Sequence, residues 1–184
     1  MKAIFRLPLV ALAATLLFIS ALAQAQTTPA NPIPYTDAVG MNPNADQNIA
    51  VVSAFVTAIV SGDQDKARSL AGPNFVGYGP ARADSANLEQ TLKNWQDTYK
   101  VRQNRKVSFV QLTSRVKVGP YKGDWVSLWG NYSFTQDGKA ITFPFQQQCQ
   151  VADGRVMRSL IYYDRLAVRQ ELGYKIVPPE VAKK

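Results

Sequence analysis

Two observations predict an α+β domain. Over the first half of the chain, apolar residues recur at three- and four-residue spacing, the period of helices with one buried face. From Lys106 onward the pattern changes to runs rich in Val, Phe, Thr and Tyr, separated by glycine-containing turns, two of them Asp-Gly. The expected architecture is three N-terminal helices packed on a strongly curved antiparallel sheet. Such a sheet must bury one face against the helices, and if it curls, the concave face and the helices enclose a pocket.

The first segment reads as an export signal. Lys2 and Arg6 make a positive start, Leu7 to Leu22 is apolar apart from Ser20, and Ala23-Gln24-Ala25 is a small-x-small cleavage site. The apolar stretch is shorter than the roughly 20 residues that span a bilayer, so residues 1–25 are expected to be removed, leaving Gln26 first and no stable membrane anchor. Residues 26–43 hold four prolines and few large apolar side chains, which predicts an extended, loose leader.

The folded domain is expected over residues 44–173. Asn44 or Asp46 can cap a first helix whose stripe is Ile49, Val52, Val56 and Ile59, widened by Phe55 and stopped by Ser61-Gly62. Asp63 can cap a short second helix ending near Leu70, before Gly72-Pro73. Asn74 to Tyr78 is a short strand. Asp84 or Ser85 can cap a third helix carrying Leu88, Leu92, Trp95 and Tyr99 on one face. Four strands follow: Lys106–Val118, Trp125–Thr135, Ala140–Val151 and Arg155–Asp164. Pro144 inside the third implies a bulge or an unpaired edge position. Asp137-Gly138 and Asp153-Gly154 are strong hairpin signals. A helical turn ends at Gly173, and residues 174–184 form a loose tail.

Composition excludes several chemistries. The 184 residues contain no histidine and one cysteine. Ser-His-Asp and Cys-His nucleophile systems, His-ligated zinc and intrachain disulfides are therefore impossible. No cofactor motif is present. Cys149 shares the parity of Phe143, Phe145 and Val151, so it reads as a small buried hydrophobe. The chain carries 21 Lys+Arg against 13 Asp+Glu, a formal charge of +8. The local run Lys100, Arg102, Arg105, Lys106 sits where a helix hands over to a strand, and is expected to be a solvated connection, not a nucleic-acid surface.

The segment Val51-Val52-Ser53-Ala54-Phe55-Val56-Thr57-Ala58-Ile59-Val60-Ser61-Gly62-Asp63 resembles the opening of the nuclear-transport-factor-2-like fold. The run from Asp153-Gly154-Arg155-Val156 to Tyr162-Tyr163-Asp164, followed by Gln170-Glu171-Leu172-Gly173, resembles the last strand and tail of its SnoaL-like branch. The resemblance spans Gln47 to Gly173. It implies a cone around an apolar pocket and dimerisation through the outer sheet face. It leaves activity open, since isomerases, cyclases, hydrolases, ligand binders and association modules share the fold.

The motifs imply that the usual catalytic groups of this fold are replaced. Phe55 falls where ketosteroid isomerases carry a tyrosine donor. Tyr78 falls at their carboxylate base, Gln147 near their protonated aspartate, and Ile161 near the last-strand aspartate of the limonene-type epoxide hydrolases. Asp63 and Asp164 are better placed as helix caps than as acids or bases. On the last strand the resemblance points the Tyr163 side inward. On Trp125–Thr135 alternation separates Trp125, Ser127, Trp129 and Asn131 from Val126, Leu128, Gly130 and Tyr132 without saying which set faces in.

The leading expectation is an exported domain that binds a small, largely apolar organic molecule, with Tyr78, Gln147 and Tyr163 orienting it and Phe55, Trp95 and Ile161 walling it, possible as a homodimer. The alternatives are an isomerase- or cyclase-type enzyme using Tyr78 as general acid, and a homodimeric interaction module whose pocket is filled by side chains. At least one of Gln146, Gln147 and Gln148 should point inward and needs partners; Tyr78, Tyr163 or a ligand could supply them.

Overall fold

The computed structural model describes residues 32–81 and 83–177. The expected signal, residues 1–25, the start of the leader and the end of the tail lie outside the described residues. In chain order the elements are α1 (Tyr35–Ala38), β1 (Val39–Gly40), α2 (Ala45–Ser61), α3 (Gln64–Leu70), β2 (Ala71–Tyr78), β3 (Ser85–Asn87), α4 (Leu88–Val101), β4 (Gln103–Val116), β5 (Gly123–Gln136), β6 (Lys139–Ala152), β7 (Arg155–Tyr162) and α5 (Arg165–Glu171).

The strands form one sheet in the order β1-β4-β5-β6-β7-β2-β3. Two features differ from expectation. The sheet is mixed: β2 runs parallel to β7, with Gly77 opposite Ser159 and Tyr78 opposite Leu160. The strand expected at Asn74 to Tyr78 is longer, beginning at Ala71, and a second short strand, β3, follows it before α4, so the helices alternate with strands. The cause is local. Gly72-Pro73 cannot continue α3, so the chain runs extended beside β7, and α4 then carries it across to β4. The cap of α4 is Asn87, not Asp84 or Ser85. Asn87 Oδ1 accepts from Gln90 N at 2.9 Å, and Gln90 Oε1 accepts from Asn87 N at 3.4 Å, a complete capping box.

The expected loose leader is partly built into the sheet. Val39 pairs with Val116 and Gly40 with Arg115. Asn42 is buried and anchors the segment. Its Nδ2 donates to Thr113 Oγ1 at 2.7 Å, while its Oδ1 accepts from Asn44 N at 2.9 Å and Asn48 Nδ2 at 3.4 Å. An anchor made of amides leaves no trace in hydrophobic patterning, which is why a Pro-rich composition suggested a loose segment.

Both Asp-Gly turns form as the sequence expects. Asp137 and Gly138 (φ 51° and 75°) and Asp153 and Gly154 (φ 51° and 67°) hold the left-handed pairs of tight two-residue hairpins. The β5–β6 ladder runs without a register shift from Gln136↔Lys139 to Asp124↔Val151. Pro144 interrupts nothing. Its missing N–H falls on the side of β6 beyond the last β7 pair, Gln146↔Tyr162, which is the edge reading and not a bulge.

Alternation then decides the faces. Val126, Leu128, Tyr132 and Phe134 of β5 and Ile141, Phe143, Phe145, Gln147, Cys149 and Val151 of β6 are buried beneath Val52, Phe55, Val56 and Ile59 of α2. Between β6 and β7 the register shifts at Gln150 and Val151, which pair with Arg158 and Val156 and leave Met157 of β7 as the extra residue. That bulge lets Val156 and Ser159, which differ in parity, both point inward. Among the described residues, no helix is long and apolar enough to cross a membrane.

At Gly130 β4 and β5 approach closely. A Cβ there would lie 1.9 Å from Ser108 O and 2.7 Å from Phe109 Cβ. Glycine in a strand interior serves such close approach. Gly130→Ala should destabilise the fold by about 2 kcal/mol, read as a lowered urea midpoint with an unchanged m-value. An unchanged midpoint would mean that β4 and β5 do not approach this closely.

Candidate functional site

Between the inward sheet face and the helices lies a cavity of about 170 Å³. Its walls come from seven elements. α2 contributes Phe55, Val56, Ile59 and Val60; α4 contributes Thr91 and Trp95; β2 contributes Phe75 and Gly77. The long strands β4 to β6 add Val107, Tyr132, Phe143, Phe145 and Gln147. Ser159 and Ile161 of β7, with Tyr163 just beyond it, close the far side, and Arg102 lies where α4 meets β4. The walls are rich in aromatic rings. Phe55 and Phe75 meet at 5.5 Å between centroids, Phe143 and Tyr163 stack at 4.8 Å, and Trp95 meets Tyr132 edge-on at 6.0 Å.

A few polar groups interrupt this surface. Gln147 Nε2 donates to Ser159 Oγ at 2.8 Å and lies 3.8 Å from Cys149 Sγ. Its partners are therefore its own sheet neighbours, not Tyr78 or Tyr163. Cys149 is fully buried, and burial pushes its thiol up to about 12, so it stays a neutral packing residue.

Tyr132 is the exception. It is 5% exposed, and its hydroxyl, buried beside the Arg102 guanidinium, has no acceptor for its own proton. Burial holds its pKa above the ordinary tyrosine value, although Arg102 pulls the other way. At neutral pH it is therefore a protonated, unused donor. Arg102 sits beside it, its guanidinium carbon 4.1 Å from the Phe134 ring centroid and 5.9 Å from that of Tyr132. No carboxylate among the described residues pairs with Arg102 within 4.0 Å.

Five of the six residues singled out from the sequence, Phe55, Trp95, Gln147, Ile161 and Tyr163, line this cavity. Tyr78 does not. On β2 Phe75 and Gly77 point inward, so Tyr78 points outward, is 38% exposed, and borders a surface depression with Tyr121 and Tyr162. Motif counting selected Tyr78; the parity of Phe75 would have excluded it. It is not placed to act as a general acid in the cavity.

Asp63 and Asp164 are helix caps, accepting from Lys66 N at 3.0 Å and Ala167 N at 2.8 Å. The basic run is not simply solvated. Arg105 donates to Val60 O at 2.9 Å and Ser61 O at 3.2 Å, capping the C-terminus of α2, while Arg102 turns to the cavity. Sequence reading missed Tyr132 and Ser159 as well. The available signal for Tyr132 was its shared parity with Val126, Leu128 and Phe134, all apolar, which two tryptophans on the opposite face obscured. Among the described residues, no group of three or more Cys, Asp or Glu is placed to hold a metal ion.

No protein-family model matches the sequence, and no curated protein matches it. Solved structures do. A candidate SnoaL-like polyketide cyclase from Jannaschia sp. CCS1 superposes with a TM-score of 0.61 at 17% identity, covering 74% of this chain and 99% of that one. IdmH of Streptomyces antibioticus, a candidate polyketide cyclase, gives 0.57 at 19% identity over 70% and 99% of the two chains. An LEH-like epoxide hydrolase of M. tuberculosis gives 0.55 at 18% identity over 71% and 92%. The chain has the SnoaL-like, nuclear-transport-factor-2-like fold. At these identities the likeness concerns the fold alone.

Within this SnoaL-like fold, Tyr132 is a polar group buried without an acceptor, which costs stability. Tyr132→Phe should therefore stabilise the ligand-free protein by about 1 kcal/mol, measured by urea unfolding. The pH dependence has a definite sign. The native pKa values of Tyr132 and Tyr99 are both raised, burial being the main cause. Their contribution is complete below the unfolded value of about 10 and is lost as pH rises through the native values. Thermal stability should fall above about pH 10, and less steeply in Tyr132→Phe. Destabilisation by Tyr132→Phe would show that the hydroxyl has an acceptor after all.

Proposed function

We propose that this domain binds a small, largely apolar organic molecule in the cavity, oriented by a hydrogen bond from Tyr132. The observation that carries the reading is the Tyr132 hydroxyl, which lacks an acceptor, beside a cavity walled mainly by aromatic and aliphatic side chains. Fold stability alone gives no reason to bury a donor with nothing to receive it, whereas a ligand oxygen would satisfy it. Size narrows the molecule. A cavity of about 150 Å³ holds benzene, so 170 Å³ suits one ring with short substituents. Phe55, Trp95, Ile161 and Tyr163 wall it, and Gln147 fixes Ser159 at its floor.

The residues lining the cavity include no Asp, Glu or Lys, which favours binding over proton abstraction. An isomerase- or cyclase-type activity, the second reading, is favoured by the solved structures named as candidate cyclases. It would use Tyr132, beside the Arg102 cation, as proton donor in place of Tyr78. A filled-pocket interaction module is disfavoured by the cavity itself.

Export and pairing belong to the same proposal. The positive start, apolar stretch and Ala23-Gln24-Ala25 support cleavage before Gln26. On the outer sheet face Val110 pairs with Trp129, Trp129 with Gln146 and Gln146 with Tyr162, a row without charge across four strands, exposed except at half-buried Gln146. A patch of this kind can meet its own copy about a two-fold axis without like-charge repulsion.

Two measurements check these readings. Calorimetry should show acetophenone binding several-fold tighter than ethylbenzene, with the difference lost in Tyr132→Phe and both lost in Ile161→Trp, which fills the cavity. Equal affinities, or binding unaffected by Ile161→Trp, would contradict the site. Mass spectrometry of exported protein should show a chain starting at Gln26 and, under native conditions, twice that mass, reduced to the single chain by Trp129→Glu. An uncleaved chain contradicts export, and a monomer contradicts pairing.

A further inference from the structure

Outside the cavity, between α4, α5 and the loop before β3, lies a wider vestibule that shares Thr91, Trp95, Arg102, Ile161 and Tyr163 with it. The vestibule carries Arg102, Arg165 and Arg169 against the single carboxylate of Asp84. Asp84 is already paired with Arg165, at 2.5 Å. Arg102 and Arg169 have no carboxylate partner among the described residues. An apolar, ring-lined interior therefore opens on an entrance with excess positive charge, and Arg102 belongs to both.

Resting on the ligand-binding reading above, we infer that the ligand is an amphipathic carboxylate, with an apolar ring held inside and its carboxylate held by Arg102 and Tyr132. Several independent features fit this class. The aromatic walls take the ring by stacking and burial. The Tyr132 hydroxyl has no acceptor of its own, and a carboxylate oxygen is a better acceptor than a neutral one. The Arg102 guanidinium carbon lies 4.1 Å from the Phe134 ring centroid, so the ring restrains the side chain before the ligand arrives and less side-chain entropy is left to lose. A carboxylate leaving water needs a cation and hydrogen bonds together, and this pair supplies both. Arg165 and Arg169 lie further out, where an excess of charge attracts anions and raises the rate of encounter.

The test uses three probes that share one ring: hydrocinnamate, its primary amide, and propylbenzene. Calorimetry on the whole chain should show the acid binding about tenfold tighter than the amide. Raising the ionic strength should weaken the acid and leave the other two unchanged. Arg102→Gln should bring acid and amide level, and Arg102→Lys should keep part of the preference. If Arg102→Gln does not fold, the acid-to-amide ratio and its salt dependence in the unaltered protein still decide. Acid and amide binding equally, with propylbenzene also bound, would overturn this inference and leave the apolar cavity reading standing. No binding of any of the three would overturn both.

Discussion

The register between β5 and β6 is the constraint on which the rest depends. The Asp137-Gly138 turn starts the ladder, and it runs unbroken to Asp124↔Val151. Side chains alternate along a strand, so a slip of one residue would turn β6 over relative to β5. With β5 held by its core residues, Phe143, Phe145 and Gln147 would turn to solvent, and Gln146 and Gln148 would face the side that Tyr132 occupies. The cavity, its polar points and the uncharged outer row are all consequences of where one two-residue turn sits. The absence of Cβ at Gly130 belongs to the same constraint, since β4 must pass close to β5 there for the face to be shared.

Burial on that face is uneven, and the unevenness carries the chemistry. Toward Val52, Val126, Val156 and Cys149 the packing is complete, with each of these residues at zero exposure. Toward Trp95, Tyr132 and Tyr163 the same layers part and leave a void. Packed interiors ordinarily close such gaps and pair every buried hydroxyl. Here aromatic rings hold the walls apart, and a donor is left unsatisfied among them. A void lined by rings, with a buried donor that lacks an acceptor, is the physical ground for reading this place as a site.

Much of the fold was legible because it rests on strong local signals. The stripe of Ile49, Val52, Val56 and Ile59, both Asp-Gly turns, the caps at Asp63 and Asp164, and the buried Cys149 all follow from spacing and side-chain chemistry. The parallel pairing of β2 with β7 was not legible, because a single short strand says nothing of which edge it joins. Nor was the anchoring of Asn42, which works through amides. In the site, positions were readable where parity was applied: Ile161 and Tyr163 share the parity of buried Ser159. Tyr78 went astray where motif position was followed instead, and Arg102 was hidden inside a run of charges whose usual fate is solvent.

The claim most open to direct test is that an apolar space exists beneath α2. Such cavities take up xenon, which needs no polar partner. Crystals of the protein pressurised with xenon should show one strong anomalous peak enclosed by Phe55, Phe75, Phe145 and Ile161. Side chains collapsed into that space, with xenon absent, would contradict the account.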